Sequence, residues 1–383
     1  MGPFFKLIVT FLIIFSFCPS LTAQPNLVSN NYKDEKGLPR LNIERAMIYS
    51  PKSAWFYNHH PAIINFKGRF IATWSDGLFG EDSPGQRVVY SVSDDFYHWS
   101  PVKVLANPAK GPGDTLNVLT AAGLYKFKDT LVAYYGQYEQ HRTNTQLFAL
   151  YSTDGEHWSA PIDMHLPLIP NHGPEPTKSG RLIISGNFSF PYTDNPDGLS
   201  GWKMSSFYPP EFYTQDNSAT FYKPAQRSGL PPLCEGSFFQ TDDNIIHMLL
   251  RVTGKGWKGH LWITESQDNG TRWSRPVEAN FTDNDSKFHF GRLPDGKFYY
   301  AGIPDTLRHY ERSPLVLSLS KDGKFFNLHY IIANEPYTLK HEGLYKGGQY
   351  GYPHTMIWQG YMYVIVSRQK ESIEVIRFKL NQL

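Results

Sequence analysis

Short apolar runs broken by glycine, aspartate and asparagine recur along the whole chain. Arg87-Val-Val-Tyr-Ser-Val92, Ile245-Ile-His-Met-Leu-Leu250 and His260-Leu-Trp-Ile-Thr264 are typical. They are rich in β-branched and aromatic residues, and no segment sustains a helical period, so the pattern predicts strands. Six tight turns join pairs of these runs: Phe66-Lys-Gly-Arg-Phe70, Phe127-Lys-Asp-Thr-Leu131, Lys178-Ser-Gly-Arg-Leu182, Asp243-Asn-Ile-Ile246, Pro294-Asp-Gly-Lys-Phe298 and Gln359-Gly-Tyr-Met362. Each reads as a hairpin.

A second marker runs in phase with the first. Ser93-Asp-Asp-Phe-Tyr-His-Trp99, Ser152-Thr-Asp-Gly-Glu-His-Trp158, Ser266-Gln-Asp-Asn-Gly-Thr-Arg-Trp273 and Ser320-Lys-Asp-Gly-Lys-Phe-Phe326 share Ser, an Asp two residues later, turn residues and an aromatic. Aspartate accepts bonds from backbone N–H groups ahead of it, and glycine supplies the left-handed turn. The aromatic ends stand 59, 115 and 53 residues apart, the middle gap being about two periods, so one turn near residue 216 is expected to have lost its signature. Strand, tight turn, strand, loop, strand, Asp turn, strand, in about 50–60 residues, is one blade of a β-propeller. The fold class predicted is therefore all-β: a propeller of four-stranded antiparallel sheets with Asp-box turns. Seven blades are expected, with six the alternative. Leu41–Tyr49 is expected to close the ring against Ile373–Phe378.

Residues 1–23 hold Lys6, a short apolar run and Leu21-Thr-Ala23, the pattern of a secretory signal peptide, which predicts export to the periplasm or beyond. Residues 24–383 are expected to form one propeller domain. Cys234 is then the only cysteine, which precludes an intramolecular disulfide. With 37 basic and 35 acidic residues and no basic run, the charge pattern argues against a nucleic-acid partner. No later segment is long and apolar enough to predict a membrane span. Aromatic residues make up 15% of the chain, a share that suits packed sheets and sugar-stacking surfaces alike.

The innermost strand of every blade lines one central channel, so equivalent positions converge there. Stepping back seven to nine residues from the hairpin turns reaches His60, Thr120, His172, Glu235, His289 and Tyr352; stepping forward reaches Asp76, Asn187 and Arg251. His60, His172, Arg251 and Tyr352 are the candidate catalytic residues, and His59, Glu235, His289 and Asn187 the candidate substrate contacts. Each also has a structural reading, as a satisfied loop or core polar group. Arg142, Arg312 and His141 lie in loops and are expected to be solvated. No His-x-His or Cys-x-x-Cys spacing predicts a metal site, and no cofactor is expected; a structural ion on Cys234 or His289 is the remaining option.

The Ser-x-Asp turns resemble the Asp boxes of sialidase-like propellers. A sialidase also needs a three-arginine carboxylate clamp and a Tyr/Glu nucleophile pair, which the sequence alone does not assemble. Asn58-His-His-Pro61, Trp74-Ser-Asp-Gly77, Glu81-Asp-Ser-Pro-Gly-Gln-Arg87, Cys234-Glu-Gly-Ser-Phe238, Arg312-Ser-Pro-Leu315 and Tyr350-Gly-Tyr-Pro353 together resemble seven-bladed propellers of secreted bacterial polysaccharide degradation. That group includes ulvan lyases and α-L-rhamnosidases acting on rhamnosyl-glucuronate. The resemblance implies a rhamnose- and uronate-containing, anionic oligosaccharide or polysaccharide as substrate. It differs at Glu235, where a lyase tyrosine would be expected. The expected reaction is β-elimination at a uronate (lyase or dehydratase), with Arg251 neutralising the carboxylate and His60 or His172 as base. Tyr352 or a second histidine would then protonate the leaving oxygen. The alternatives are exo-α-L-rhamnosidase hydrolysis and a non-catalytic glycan-binding propeller.

Overall fold

The computed structural model describes residues 24–383 except 34, 53, 140–141 and 211–227. The expected leader and His141 lie outside the described residues. In chain order the strands are β1 (Glu44–Tyr49), β2 (Tyr57–Phe66), β3 (Arg69–Gly77), β4 (Arg87–Ser93), β5 (Lys103–Ala106), β6 (Val118–Phe127), β7 (Thr130–Tyr138), β8 (Gln146–Ser152), β9 (Ile162–Asp163), β10 (Glu175–Pro176), β11 (Leu182–Ile183) and β12 (Tyr192–Thr193). They continue as β13 (Leu233–Gln240), β14 (Ile246–Val252), β15 (His260–Ser266), β16 (Val277–Thr282), β17 (His289–Arg292), β18 (Phe298–Gly302), β19 (Leu315–Ser320), β20 (Leu328–Ala333), β21 (Gly351–Trp358), β22 (Tyr361–Arg368) and β23 (Ser372–Lys379).

These strands form six antiparallel sheets among the described residues: β2 to β5, β6 to β9, β10 to β12, β13 to β16, β17 to β20, and β21 to β23 completed by β1. Six is the smaller of the two expected blade numbers. The closure is as predicted, with β1 on the outer edge of β23 and Ala46 opposite Val375. All six hairpin markers join the first two strands of a sheet.

The six largest apolar clusters among the described residues form a circle, one between each pair of neighbouring sheets. Phe66, Ile71 and Val88 meet Leu119, Leu131 and Ala133 between the first and second blades. The last blade packs on the first through Ile365, Val375, Ile63 and Trp74. Side chains on a strand alternate between faces, so each middle strand feeds two interfaces. Met362, Val364 and Val366 face the fifth blade, while Tyr363 and Ile365 face the first. That is why such strands read as unbroken apolar runs rather than as an alternation.

The Asp turns follow their expected chemistry. Asp154 Oδ1 accepts the N–H groups of Glu156 and His157, and Ser152 Oγ accepts that of Gly155. Gly155, Gly270 and Gly323 take positive φ, and Phe96 takes the same position in the first blade. Residue 216 lies outside the described residues, but the missing turn belongs elsewhere. In the third blade Thr193, Asn195, Gly198 and Trp202 occupy the equivalent place, and Lys203 bridges back to Tyr192 as the fourth strand would. Two to three extra residues before the aromatic, a Thr for Ser and an Asn for Asp hide it from a spacing search.

Two glycines separate backbone strain from crowding. At Gly68 (φ 86°) an added Cβ meets nothing within 4 Å, whereas at Gly123 (φ 98°) it would lie 2.2 Å from the backbone nitrogen of Gly173. Gly68→Ala is expected to cost about 1 kcal/mol and Gly123→Ala about 3 kcal/mol or more, read as shifts of the urea unfolding midpoint.

Candidate active site

Four of the six inner strands break register at the same place. The shifts lie between His59 and Ala62 in β2, Ala121 and Leu124 in β6, Cys234 and Ser237 in β13, and Gly351 and His354 in β21. In each, one residue takes the left-handed conformation: His60 (φ 57°), Gly123 (φ 98°), Glu235 (φ 52°) and Tyr352 (φ 55°). A non-glycine residue there costs about 1 kcal/mol or more, and such bulges re-aim side chains. Three of these four carry polar groups into the channel mouth.

Tyr352 is the centre of the cluster. Its hydroxyl donates to Glu235 Oε1 (2.8 Å) and accepts from Arg251 Nη2 (3.2 Å). Arg251 also pairs with the other Glu235 oxygen and with Asp285. Burial would raise the Glu235 carboxyl, but Arg251 and Lys287 outweigh it and hold it down to about 2. Burial drives the Tyr352 hydroxyl well above 10, with Glu235 adding to the effect. His59 and His60 pack on the same ring, with centroids at 3.9 and 5.3 Å. Burial and neighbouring positive charge keep both imidazoles neutral, well below 6.5.

Two cations over this ring lack a carboxylate among the described residues. Lys287 Nζ lies 4.8 Å from the Tyr352 centroid and donates only to the carbonyl of Asn171 (3.2 Å). Burial lowers its ammonium to about 8. Arg312 lies 5.3 Å from the centroid; Nη2 donates to the carbonyl of Asp285, while Nε and Nη1 are buried without a partner. Arg312 was expected in solvent, yet it is only 4% exposed. Its loop folds back over the channel beneath Gly348, where an added Cβ would meet Arg312 Cδ at 2.6 Å. Arg142 is half-buried, clamped with Tyr138 on Asp82.

Two residues further along β21, His354 meets His172 and His289, with centroids at 5.6 and 4.7 Å. The three could surround an ion, but their protons argue otherwise. His289 Nδ1 accepts the N–H of Thr355 (3.0 Å) and Nε2 donates to Glu175 (2.9 Å). His354 Nδ1 likewise accepts the N–H of Ile63 (3.3 Å). A neutral imidazole that accepts through one nitrogen carries its proton on the other, so neither offers a bare Nε2 to a metal. His172 Nε2 donates to the carbonyl of Phe288 (2.9 Å). Cys234 sits in an apolar cluster, and burial raises its thiol to about 12.

The ring therefore gathers His59, His60, Glu235, Arg251 and Tyr352 into one cluster, with His172 and His289 beside it. A small cavity lined by His60, His172, Lys287, Tyr352 and His354 joins the two groups. Asn187 is buried in the turn after β11, and no hydrogen bond joins it to the cluster among the described residues. Thr120 is tied to Tyr138 (2.8 Å) and Asp76 to Arg87 (2.8 Å). Sequence spacing missed Lys287, Glu81, Asp285, His354 and Lys370, which come from loops or strand interiors without a fixed offset from the hairpin turns.

The repeat pattern and this geometry agree with the comparisons to known proteins. A BNR repeat-like domain matches residues 68–364. The chain belongs to the BNR repeat-like domain family. No curated protein matches. Among solved structures, this BNR-repeat propeller is similar to a protein of unknown function from Dyadobacter fermentans, at 16% identity over 88% of this chain and 99% of that one (TM-score 0.61). It is also similar to Trypanosoma rangeli sialidase in complex with sialic acid, at 12% identity over 89% of this chain (TM-score 0.62), and spans about 60% of that protein's length. The K499G mutant of NanB sialidase from Streptococcus pneumoniae matches at 12% identity over 88% of this chain and 71% of that one (TM-score 0.60). At these identities the likeness concerns the sialidase-type propeller fold.

Arg251→Met is expected to destabilise the protein by about 3–5 kcal/mol, since it strands two buried carboxylates. Tyr352→Phe should cost about 1 kcal/mol, the loss of one hydrogen-bonded hydroxyl. Urea denaturation of the two variants checks both.

Proposed function

We propose that this BNR-repeat propeller is a glycan-processing enzyme for acidic sugars, with Tyr352 as its nucleophile. One observation carries this reading: a tyrosine bonded to an ionised, buried glutamate lies beneath two buried cations that form no ion pair with a carboxylate among the described residues. An unpaired buried charge is costly, so Lys287 and Arg312 are best accounted for by an anionic group on the substrate, a carboxylate or sulfate. A tyrosine–glutamate pair is a known alternative to the two carboxylates of most glycosidases.

In this scheme Lys287 and Arg312 hold the acidic group and fix the ring over Tyr352. Glu235 takes the phenol proton as Oη bonds to the anomeric carbon, and the C–O bond to the leaving group breaks. Arg251 stabilises the developing phenolate charge in a site already polarised for it. Water protonates the departing oxygen. The hydroxide so formed then attacks the anomeric carbon of the glycosyl-tyrosine, the bond from that carbon to Oη breaks, and Glu235 returns the proton to Oη.

A second reading is β-elimination at a uronate, the reaction implied by the ulvan-type resemblance. What favours it is that His60 and His172 line the cavity in the neutral form, as a base must. Elimination produces a conjugated double bond absorbing in the near ultraviolet, while hydrolysis produces a new reducing sugar. A panel of sialosides and of rhamnose- and uronate-containing oligosaccharides, followed by both signals, separates the two. Absence of both signals across the panel would refute either reaction.

Under the hydrolytic reading, Tyr352→Phe should lower kcat at least about 10³-fold. Lys287→Met should raise KM about tenfold or more with a smaller change in kcat, as expected for a lost charged contact. Lys287 is charged below about pH 8 and loses its charge above it. KM should therefore climb as pH rises through that value, and this limb should vanish in Lys287→Met.

A further inference from the structure

We propose that His59, His60 and Glu81 form a binding site for a transition-metal dication of the zinc class at the channel mouth. One nitrogen of each imidazole and one carboxylate oxygen lie within 4.8 Å of one another, with His60 Nε2 3.7 Å from Glu81 Oε1. Zinc bonds of about 2.1 Å in tetrahedral geometry place ligand atoms about 3.4 Å apart, so little movement closes the set.

The proton positions differ from those of the His172, His289 and His354 group. His59 Nδ1 lies 2.7 Å from Ser367 Oγ, whose own proton goes to the carbonyl of Gly351 (3.3 Å). His59 must therefore donate through Nδ1, which leaves Nε2 with a bare lone pair. That atom is buried and has no hydrogen-bond partner. His60 Nδ1 lies 3.1 Å from Ser75 Oγ, which accepts the N–H of Ala121 (2.9 Å) and keeps both a lone pair and its own proton, so it can pair with either tautomer of the imidazole; metal binding at Nε2 uses the one with the proton on Nδ1. Ligating histidines characteristically donate their other N–H to such an acceptor. Lys370 holds the second Glu81 oxygen, orienting the first toward the imidazoles.

The surroundings select the ion. The set offers two imidazole nitrogens and one carboxylate oxygen, whereas calcium and magnesium need several oxygen ligands. Imidazole nitrogen favours zinc, nickel and copper. Three protein ligands leave a fourth position for water or a sugar hydroxyl beside the Tyr352 ring. Metal capture there is independent of the hydrolytic reading, and under elimination it leaves His172 as the base.

The test is titration of chelator-treated protein with Zn²⁺ by calorimetry and with Co²⁺ by visible absorption. One ion per chain is expected, with a tetrahedral Co²⁺ band. Affinity should fall at least tenfold in His59→Ala and in Glu81→Gln and stay unchanged in His354→Ala. Should His59→Ala fail to fold, Glu81→Gln and His60→Asn, checked by circular dichroism, carry the test. No uptake by the wild type, wild-type affinity in Glu81→Gln, or loss of binding in His354→Ala would each overturn the proposal.

Discussion

Everything at the channel mouth depends on a circle of apolar interfaces. Each sheet buries both faces against its neighbours, and closure of the first blade on the last removes the remaining exposed face. Because β1 comes from the start of the described chain and β23 from its end, the ring is held shut by a strand pair spanning most of the sequence. Hydrophobic burial is non-directional, so it fixes where the inner strands run and leaves their ends free to carry polar groups. The channel mouth uses that freedom.

Packing alone would not turn those polar groups inward. The repeated left-handed residue at the start of the inner strands does so, at a backbone cost that the surrounding sheets absorb. Where the second blade has Gly123, His172 and Gly173 from the third blade pack against the space a side chain would need. The first, fourth and sixth blades carry His60, Glu235 and Tyr352 instead, and a single bulge thus alternates between close blade contact and chemistry.

The charge arrangement is uneven in an informative way. Arg251, Arg142 and Lys370 each have a carboxylate, and Glu235 stays ionised because positive charge outweighs burial. Lys287 and Arg312 break this balance. Among the described residues, these two cations without an ion-paired carboxylate and the unpartnered Nε2 of His59 mark places that await something from outside the chain.

Much of this was legible in the residues themselves. Strand-forming apolar runs and turn chemistry act over a few residues, so the strands, the hairpin turns and four Asp turns could be read directly, as could the equivalence of His60, Glu235 and Tyr352. The inner strands have nearly constant length from turn to bulge, eight residues for His60 and Tyr352 and nine for Glu235, which is why a narrow range of steps found all three. The third blade's turn escaped because Thr193, Asn195 and added residues altered its signature, although Asn195 N–H still bonds Thr193 Oγ1 as Asp154 N–H bonds Ser152 Oγ. Arg312 and Lys287 escaped for a different reason: whether a loop cation meets water or a channel depends on how the loop folds back over the ring. The direction of each histidine proton is likewise set by a backbone or hydroxyl group from a distant blade, such as Thr355 for His289 and Ser367 for His59. Local periodicity determined the blades and the candidates, while burial, pairing and protonation were decided only when the ring closed, because those depend on contacts between residues far apart in the chain.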